Sequence, residues 1–147
     1  MLRRHSQYQR RGAILVEAAI VYPILLLLLI GMVVGGLGVF RYNRVASLAR
    51  EGARYASVRG AQFATDTGNA AATTTAVENH VKSMAAGLDT NSLTVTTTWN
   101  TSNALTHTSG NATVKNTVSV TVSYTWIPEA YFGGVTMTST SVMTMSY

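Results

Sequence analysis

Cysteine is absent from this 147-residue chain, which excludes a disulfide framework, a thiolate metal site and a cysteine nucleophile while leaving the compartment open. Charge is scarce as well: 12% of residues are charged against 47% apolar, a balance that suits one small domain or a chain lying partly in a membrane. The net charge of +5 is concentrated at the front, in Arg3, Arg4, Arg10 and Arg11. Without those four the formal balance falls to about +1. A nucleic-acid-binding domain keeps its Lys and Arg on the folded part, with aromatics to stack on bases, so nucleic acid is not expected as a partner.

Converging chemistry is equally sparse. The candidates are His5, His80 and His107, with Asp66, Glu78, Asp89 and Glu129, and no pair has metal-ligand spacing, a nucleophile motif or a phosphate loop. No catalytic, cofactor or metal site is expected, and an enzyme is not the reading of this chain. His80 and His107 read as ordinary surface residues. Asn100-Thr101-Ser102 and Asn111-Ala112-Thr113 match the glycosylation sequon, a pattern common by chance.

What the chain does have is an apolar run, AILVEAAIVYPILLLLLIGMVVGGLGVF, over residues 13–40. It exceeds the roughly 20 residues that cross a bilayer and holds a single charge, Glu17. The Thr-, Ser- and Asn-rich remainder is poorly suited to enclose a helix apolar on all sides, so the run reads as a membrane span. A cleaved secretory signal has an apolar core of about 7–15 residues, shorter than this one. Arginines flank both ends and do not set the orientation by the positive-inside rule. The short leader before the run and the long polar region behind it place the N-terminus inside.

Glu17 is costly where it stands, since an acid at mid-bilayer costs about 2.5–3.5 kcal/mol, less near the interface. The options are a neutral carboxyl, a snorkelling side chain or an ion pair with a cation of another chain. Cleavage after Gly12 would create such a cation, the α-amine of Ala13, so that Glu17 of one subunit could neutralise its neighbour. The blander reading is an acid at the positive end of a helix dipole. Pro23 removes one helical hydrogen bond and can kink the helix. Gly31 and Gly35 form a G-x-x-x-G step that allows close helix approach. Gly35, Gly36 and Gly38 together are a soft point.

Arg10-Arg11-Gly12 followed by Ala13-Ile14-Leu15-Val16-Glu17 resembles the processing site of type IV prepilins and pseudopilins. The stretch from Arg11 to Ala19, then Tyr22-Pro23-Ile24-Leu25-Leu26, and Ala49-Arg50-Glu51-Gly52-Ala53-Arg54-Tyr55-Ala56 after the helix, resemble the TadE-like proteins of tight-adherence (Tad) pili. The resemblance implies that a membrane prepilin peptidase cuts after Gly12, that Ala13 becomes the new terminus, and that Glu17 serves subunit docking and N-terminal recognition. It also implies other pilin-like subunits and inner-membrane pilus assembly proteins as partners. Major pilins of this family are much shorter, so the length of this chain favours a minor pilin or pseudopilin.

Beyond residue 40 the helical pattern continues, with Val45, Leu48, Ala49, Gly52 and Ala56 on one face and Arg44, Glu51, Arg54 and Arg59 largely outside it. This reads as a helix covering a sheet rather than an arginine-based ligand site. Thr65–Thr74 reads as a loop, followed by a second helix from a Thr75-x-x-Glu78 capping box to about Gly87, with Val77, Val81, Met84 and Leu88 on one face. Period-two alternation then predicts a strand with Leu93, Val95, Thr97 and Trp99 inward, and another with Val118, Val120, Val122, Tyr124 and Trp126 inward. A loop over Asn100–Asn111, with a turn signal at Ser109-Gly110-Asn111, would join them in a long hairpin. A third strand runs from Val135 to about Tyr147, after a segment where Tyr131 and Phe132 pack as a plug.

The expected fold is α+β: a long N-terminal helix, membrane-spanning and extending outward, plus a short second helix packed on a small antiparallel sheet. The expected organisation is a basic leader (1–12), a transmembrane helix (13–40), its outward extension (41–60) and a small periplasmic or extracellular domain (61–147). The chain would lie in the bacterial inner membrane with its N-terminus cytoplasmic, or reach the cell surface in a pilus, and serve assembly and adhesion. The alternative is an uncleaved single-pass anchor whose outward domain binds a ligand or partner.

Overall fold

The computed structural model describes residues 6–128 and 133–147, with side chains from Gly12 onward. His5, Glu129 and the expected plug of Tyr131 and Phe132 lie outside the described residues. Helix α1 spans Ser6–Ser57, followed by α2 (Ala61–Thr67), α3 (Thr74–Ser83) and a single 3-10 turn at Thr90–Ser92. The strands are β1 (Leu93–Trp99), β2 (Thr106–Ser109), β3 (Ala112–Lys115), β4 (Thr117–Trp126) and β5 (Val135–Thr144). The class is α+β, as the sequence predicts. The chain divides into two compact units, the first ending at Gly38 and the second comprising Val39–Tyr147.

In the first unit α1 is apolar and its side chains are almost all exposed, from Ile14 through Leu29 to Val33. It is the one helix among the described residues long and apolar enough to cross a membrane. Pro23 sits inside it without ending it. A stretch of this kind buries nothing within its own chain, and its apolar surface calls for lipid or other helices.

The second unit has a conventional core. Val45, Leu48, Ala49, Ala53 and Ala56 of α1 are buried, and so are Val118, Val120, Val122, Tyr124 and Trp126 of β4. β4 is the central strand of a three-stranded antiparallel sheet in the order β1-β4-β5. Leu93 pairs with Tyr124 and Trp99 with Val118 on one side; Thr117 pairs with Thr144 and Trp126 with Val135 on the other. Alternation puts valine and aromatic side chains beneath the helices and leaves Ser and Thr outside, where Thr121 shares a hydroxyl hydrogen bond of 2.8 Å with Thr140. Gly52 is the meeting point of three elements: a Cβ there would lie 2.8 Å from Val81 of α3 and 3.0 Å from Val120 of β4.

Several expectations are corrected. The stretch read as a loop from Thr65 begins in helix, because α2 occupies Ala61–Thr67 and ends at Gly68 with a left-handed φ of 69°. α3 is capped by Thr73, whose side chain accepts from the Ala76 amide at 3.1 Å, not by Thr75. It ends at Ser83, before Gly87; Val77 and Val81 are buried, whereas Met84 is 42% exposed. The residues between β1 and β4 are not a plain loop. β2 and β3 form a second, two-stranded sheet closed by Gly110-Asn111, with Gly110 at φ 61°. β5 stops at Thr144, because the last residues leave the sheet: Met145 donates its amide to the Asn116 carbonyl, and Ser146 and Tyr147 donate to that of Ser57. The last two bonds satisfy a carbonyl at the end of α1 that helix geometry leaves open.

Candidate functional site

The sequence-predicted residues all fall on α1. A Cβ added at Gly12, Gly31 or Gly35 would have no heavy atom within 4 Å, so the helix surface is open at all three positions. Glu17 is exposed in the apolar stretch and lines a shallow groove of about 280 Å³ with Ile14, Ala18, Val21 and Tyr22. That spacing of three and four residues makes a single stripe along the helix. Advanced at 3.6 residues per turn, the stripe leads to the glycines: Gly35 lies in phase with Glu17 and Gly31 about 40° away. The acid and the close-approach glycines therefore share a helix face. Sequence reading singled out both features but did not connect them.

A stripe of this composition is suited to helix-to-helix contact. The glycines let a second backbone come near, and Glu17 offers two carboxylate oxygens that accept from a cation brought by the partner. Among the described residues Glu17 makes no hydrogen bond or ion pair within its own chain.

A second cluster lies in the other unit, around Glu51, Arg54 and Arg59, which the sequence places outside the small-residue face and reads as a helix surface rather than a ligand site. Glu51, Arg54 and Tyr55 of α1, with Val58 and Arg59 of the turn that follows it, line a cleft of about 520 Å³ with His80 of α3. Glu51 pairs with Arg54 at 3.1 Å. The Tyr55 and His80 rings stack with centroids 4.0 Å apart, and the Arg59 guanidinium lies 4.5 Å from the Tyr55 centroid. His80 is thus half-buried and stacked, not an ordinary surface residue. Its Nε2 stands 4.0 Å from Glu51 and has no hydrogen-bond partner. Positions 51, 54 and 55 lie beside the small-residue face of α1, a signal that could have been read; the turn that brings in Val58 and Arg59 and the arrival of His80 from another element could not. No proton-transfer pair is assembled here, since the separation of Glu51 and His80 exceeds hydrogen-bond reach.

His107 belongs to the β2–β3 hairpin, where it pairs with Val114, and lines neither the groove nor the cleft. Among the described residues no group of three or more His, Asp or Glu side chains is placed to hold a metal.

Residues 12–54 match the family model described as TadE-like protein. The match opens at Gly12, takes in Glu17, Gly31 and Gly35, and closes at the end of the Glu51-Gly52-Ala53-Arg54 run. It stops before α2, α3 and every strand. No curated protein and no solved structure matches the chain.

Proposed function

We propose that the chain is a pilin-like structural protein of a tight-adherence pilus, a minor pilin or pseudopilin, processed by a prepilin peptidase between Gly12 and Ala13. The observation that carries this reading is the single face of α1 that holds Glu17, Gly31 and Gly35, inside the segment matched by the TadE-like family. In this reading residues 1–12 are the leader, 13–40 the span and 41–60 its outward extension, with 61–147 a periplasmic domain. The N-terminus is cytoplasmic, and the partners are the peptidase, other pilin-like subunits and inner-membrane assembly proteins.

Docking follows from the electrostatics of the bilayer. An unpaired acid is costly in hydrocarbon, and the Coulomb attraction between opposite charges grows as the dielectric falls. The amine freed at Ala13 exists only after cleavage, so the partner for Glu17 becomes available only on processed subunits. Leader removal thereby gates assembly. Close approach at Gly31 and Gly35 holds neighbouring helices at the separation the pair requires.

The test is incorporation. Glu17→Gln keeps the shape and removes the charge. The variant is expected to be cut normally, yet to fall at least about tenfold in the sheared pilus fraction, since about 1.4 kcal/mol of lost pairing already corresponds to tenfold in an equilibrium. Incorporation at the wild-type level would overturn the docking role.

A further inference from the structure

We infer that the cleft between the C-terminal end of α1 and α3 is a binding site for an acidic sugar, a pyranose that carries a carboxylate beside its hydroxyls. The cleft lies wholly in the second unit, so the inference stands apart from leader processing and assembly. Sequence alone reads this stretch as a helix surface; the structure adds an arginine held in place by rings and a partly open ion pair lining the same cleft.

Arg59 is the anchor. Its guanidinium lies 4.5 Å from the Tyr55 ring centroid and 5.5 Å from that of Phe63, and its Nη1 donates to the Tyr55 hydroxyl at 3.3 Å. Tyr55 is fixed in turn by the His80 ring stacked on it. These contacts orient the guanidinium, while among the described residues no carboxylate pairs with it. A guanidinium has five N–H donors and only one is used here, so a planar fork remains that matches a carboxylate with two parallel hydrogen bonds.

Glu51 and Arg54 supply the complement. Among the described residues only Oε1 of Glu51 is engaged, by Arg54 at 3.1 Å, which leaves Oε2 to accept and the other Arg54 donors to give. An acceptor beside a donor suits neighbouring hydroxyls of a sugar, since each hydroxyl both donates and accepts. Val58, 44% exposed, adds an apolar wall for the C–H face of the ring. The volume of about 520 Å³ falls within the roughly 300–1,000 Å³ usual for small-molecule sites. Charge points the same way. Glu51 is offset by Arg54, which leaves Arg59 as the surplus cation of the lining. The acids of α2 and α3 are occupied: Asp66 by Gln62 at 3.0 Å and by the Tyr147 hydroxyl, Glu78 by Lys82 at 2.7 Å. A neutral sugar leaves Arg59 unpaired, and a bare anion leaves Oε2 of Glu51 unused.

Binding is measured by isothermal titration calorimetry on the full chain in a polyoxyethylene detergent, which carries neither charge nor sugar. The probes are galacturonate and glucuronate, with galactose as the neutral sugar and acetate as the bare carboxylate. The expected result is saturable binding of at least one uronate, about tenfold or more tighter than galactose or acetate, the order that a charge-assisted hydrogen bond contributes. Arg59→Lys keeps the charge but loses the fork, and is expected to weaken uronate binding about tenfold at an unchanged thermal midpoint. Arg50→Gln, at an exposed arginine of α1 outside the cleft, should leave the affinity as it is. Tyr55→Phe removes the hydroxyl that orients Arg59 without touching the cation, and should weaken uronate binding severalfold. No uronate binding, acetate or galactose bound as tightly as the uronates, or an affinity unmoved by both Arg59→Lys and Tyr55→Phe overturns the inference. An equal loss with Arg50→Gln overturns it as well, because it marks a diffuse positive surface in place of a site.

Discussion

Single residues show where the fold has no slack. Gly52 is a glycine for space: the stiff valines at 81 and 120 would have to give way to any Cβ. Gly52→Val is therefore expected to cost about 1–3 kcal/mol by overpacking, read as a lowered thermal midpoint. The same change at Gly31 should leave that midpoint unmoved. Gly60 is tighter still, because a Cβ would run into the carbonyls of Asn103 and Tyr147. Asn116 is fully buried and donates from Nδ2 to the Ala104 carbonyl at 2.9 Å. Asn116→Leu should cost about 1–3 kcal/mol by leaving that carbonyl unpaired, measured by denaturant unfolding. Tyr147 has its phenol pKa raised, first by a hydrogen bond to Asp66 and then by that carboxylate's charge. A raised folded-state value means that the interaction is present at neutral pH and is lost as pH rises through it, above about 10. An absorbance titration should show Asp66→Asn lowering the pH at which the Tyr147 phenol ionises. Of these residues only Gly52 was legible in the sequence, on a face of small residues. The crowding at Gly60 and the burial of Asn116 come from chain segments distant in sequence, which local pattern does not report.

Among the elements, legibility tracked burial. β4 and β1 were readable because one face is buried and the other wet, so apolar and hydroxyl residues alternate along them. The second half of α1 was readable for the same reason at a period of 3.6. α2, β2 and β3 were not, since none has a buried residue and each is too short to print a period. The β2–β3 turn was seen, but its Gly-Asn pair was credited to a longer hairpin; a two-residue turn needs positive φ, which Gly110 supplies. The cap of α3 was misplaced by two residues in a run of threonines, where several could serve and only the backbone decides. Thr73→Ala should destabilise by about 1 kcal/mol, while Thr75→Ala should stay within about 0.5 kcal/mol, compared by thermal melts.

For the molecule as a whole, the two units answer to different solvents. The second unit encloses its own core. The apolar part of α1 encloses nothing and presents Glu17 with the two glycines on one face. That face could be found from sequence alone by advancing the helix from residue 17 to 35, yet the stacked cleft at Tyr55 and His80 needed the packing of α3 against α1. The match to TadE-like proteins over residues 12–54 runs along α1 through the boundary between the two units and leaves the sheet unmatched. Processing at Gly12 is the step on which the proposed role depends, because without it no Ala13 amine exists to meet Glu17. The most direct test is the intact mass and N-terminal sequence of the protein from membranes of cells with and without a prepilin peptidase. The predicted result is a chain beginning at Ala13 only where the peptidase is present. A chain that keeps residues 1–12 in both would contradict the pilin role and make the protein a permanent single-pass anchor.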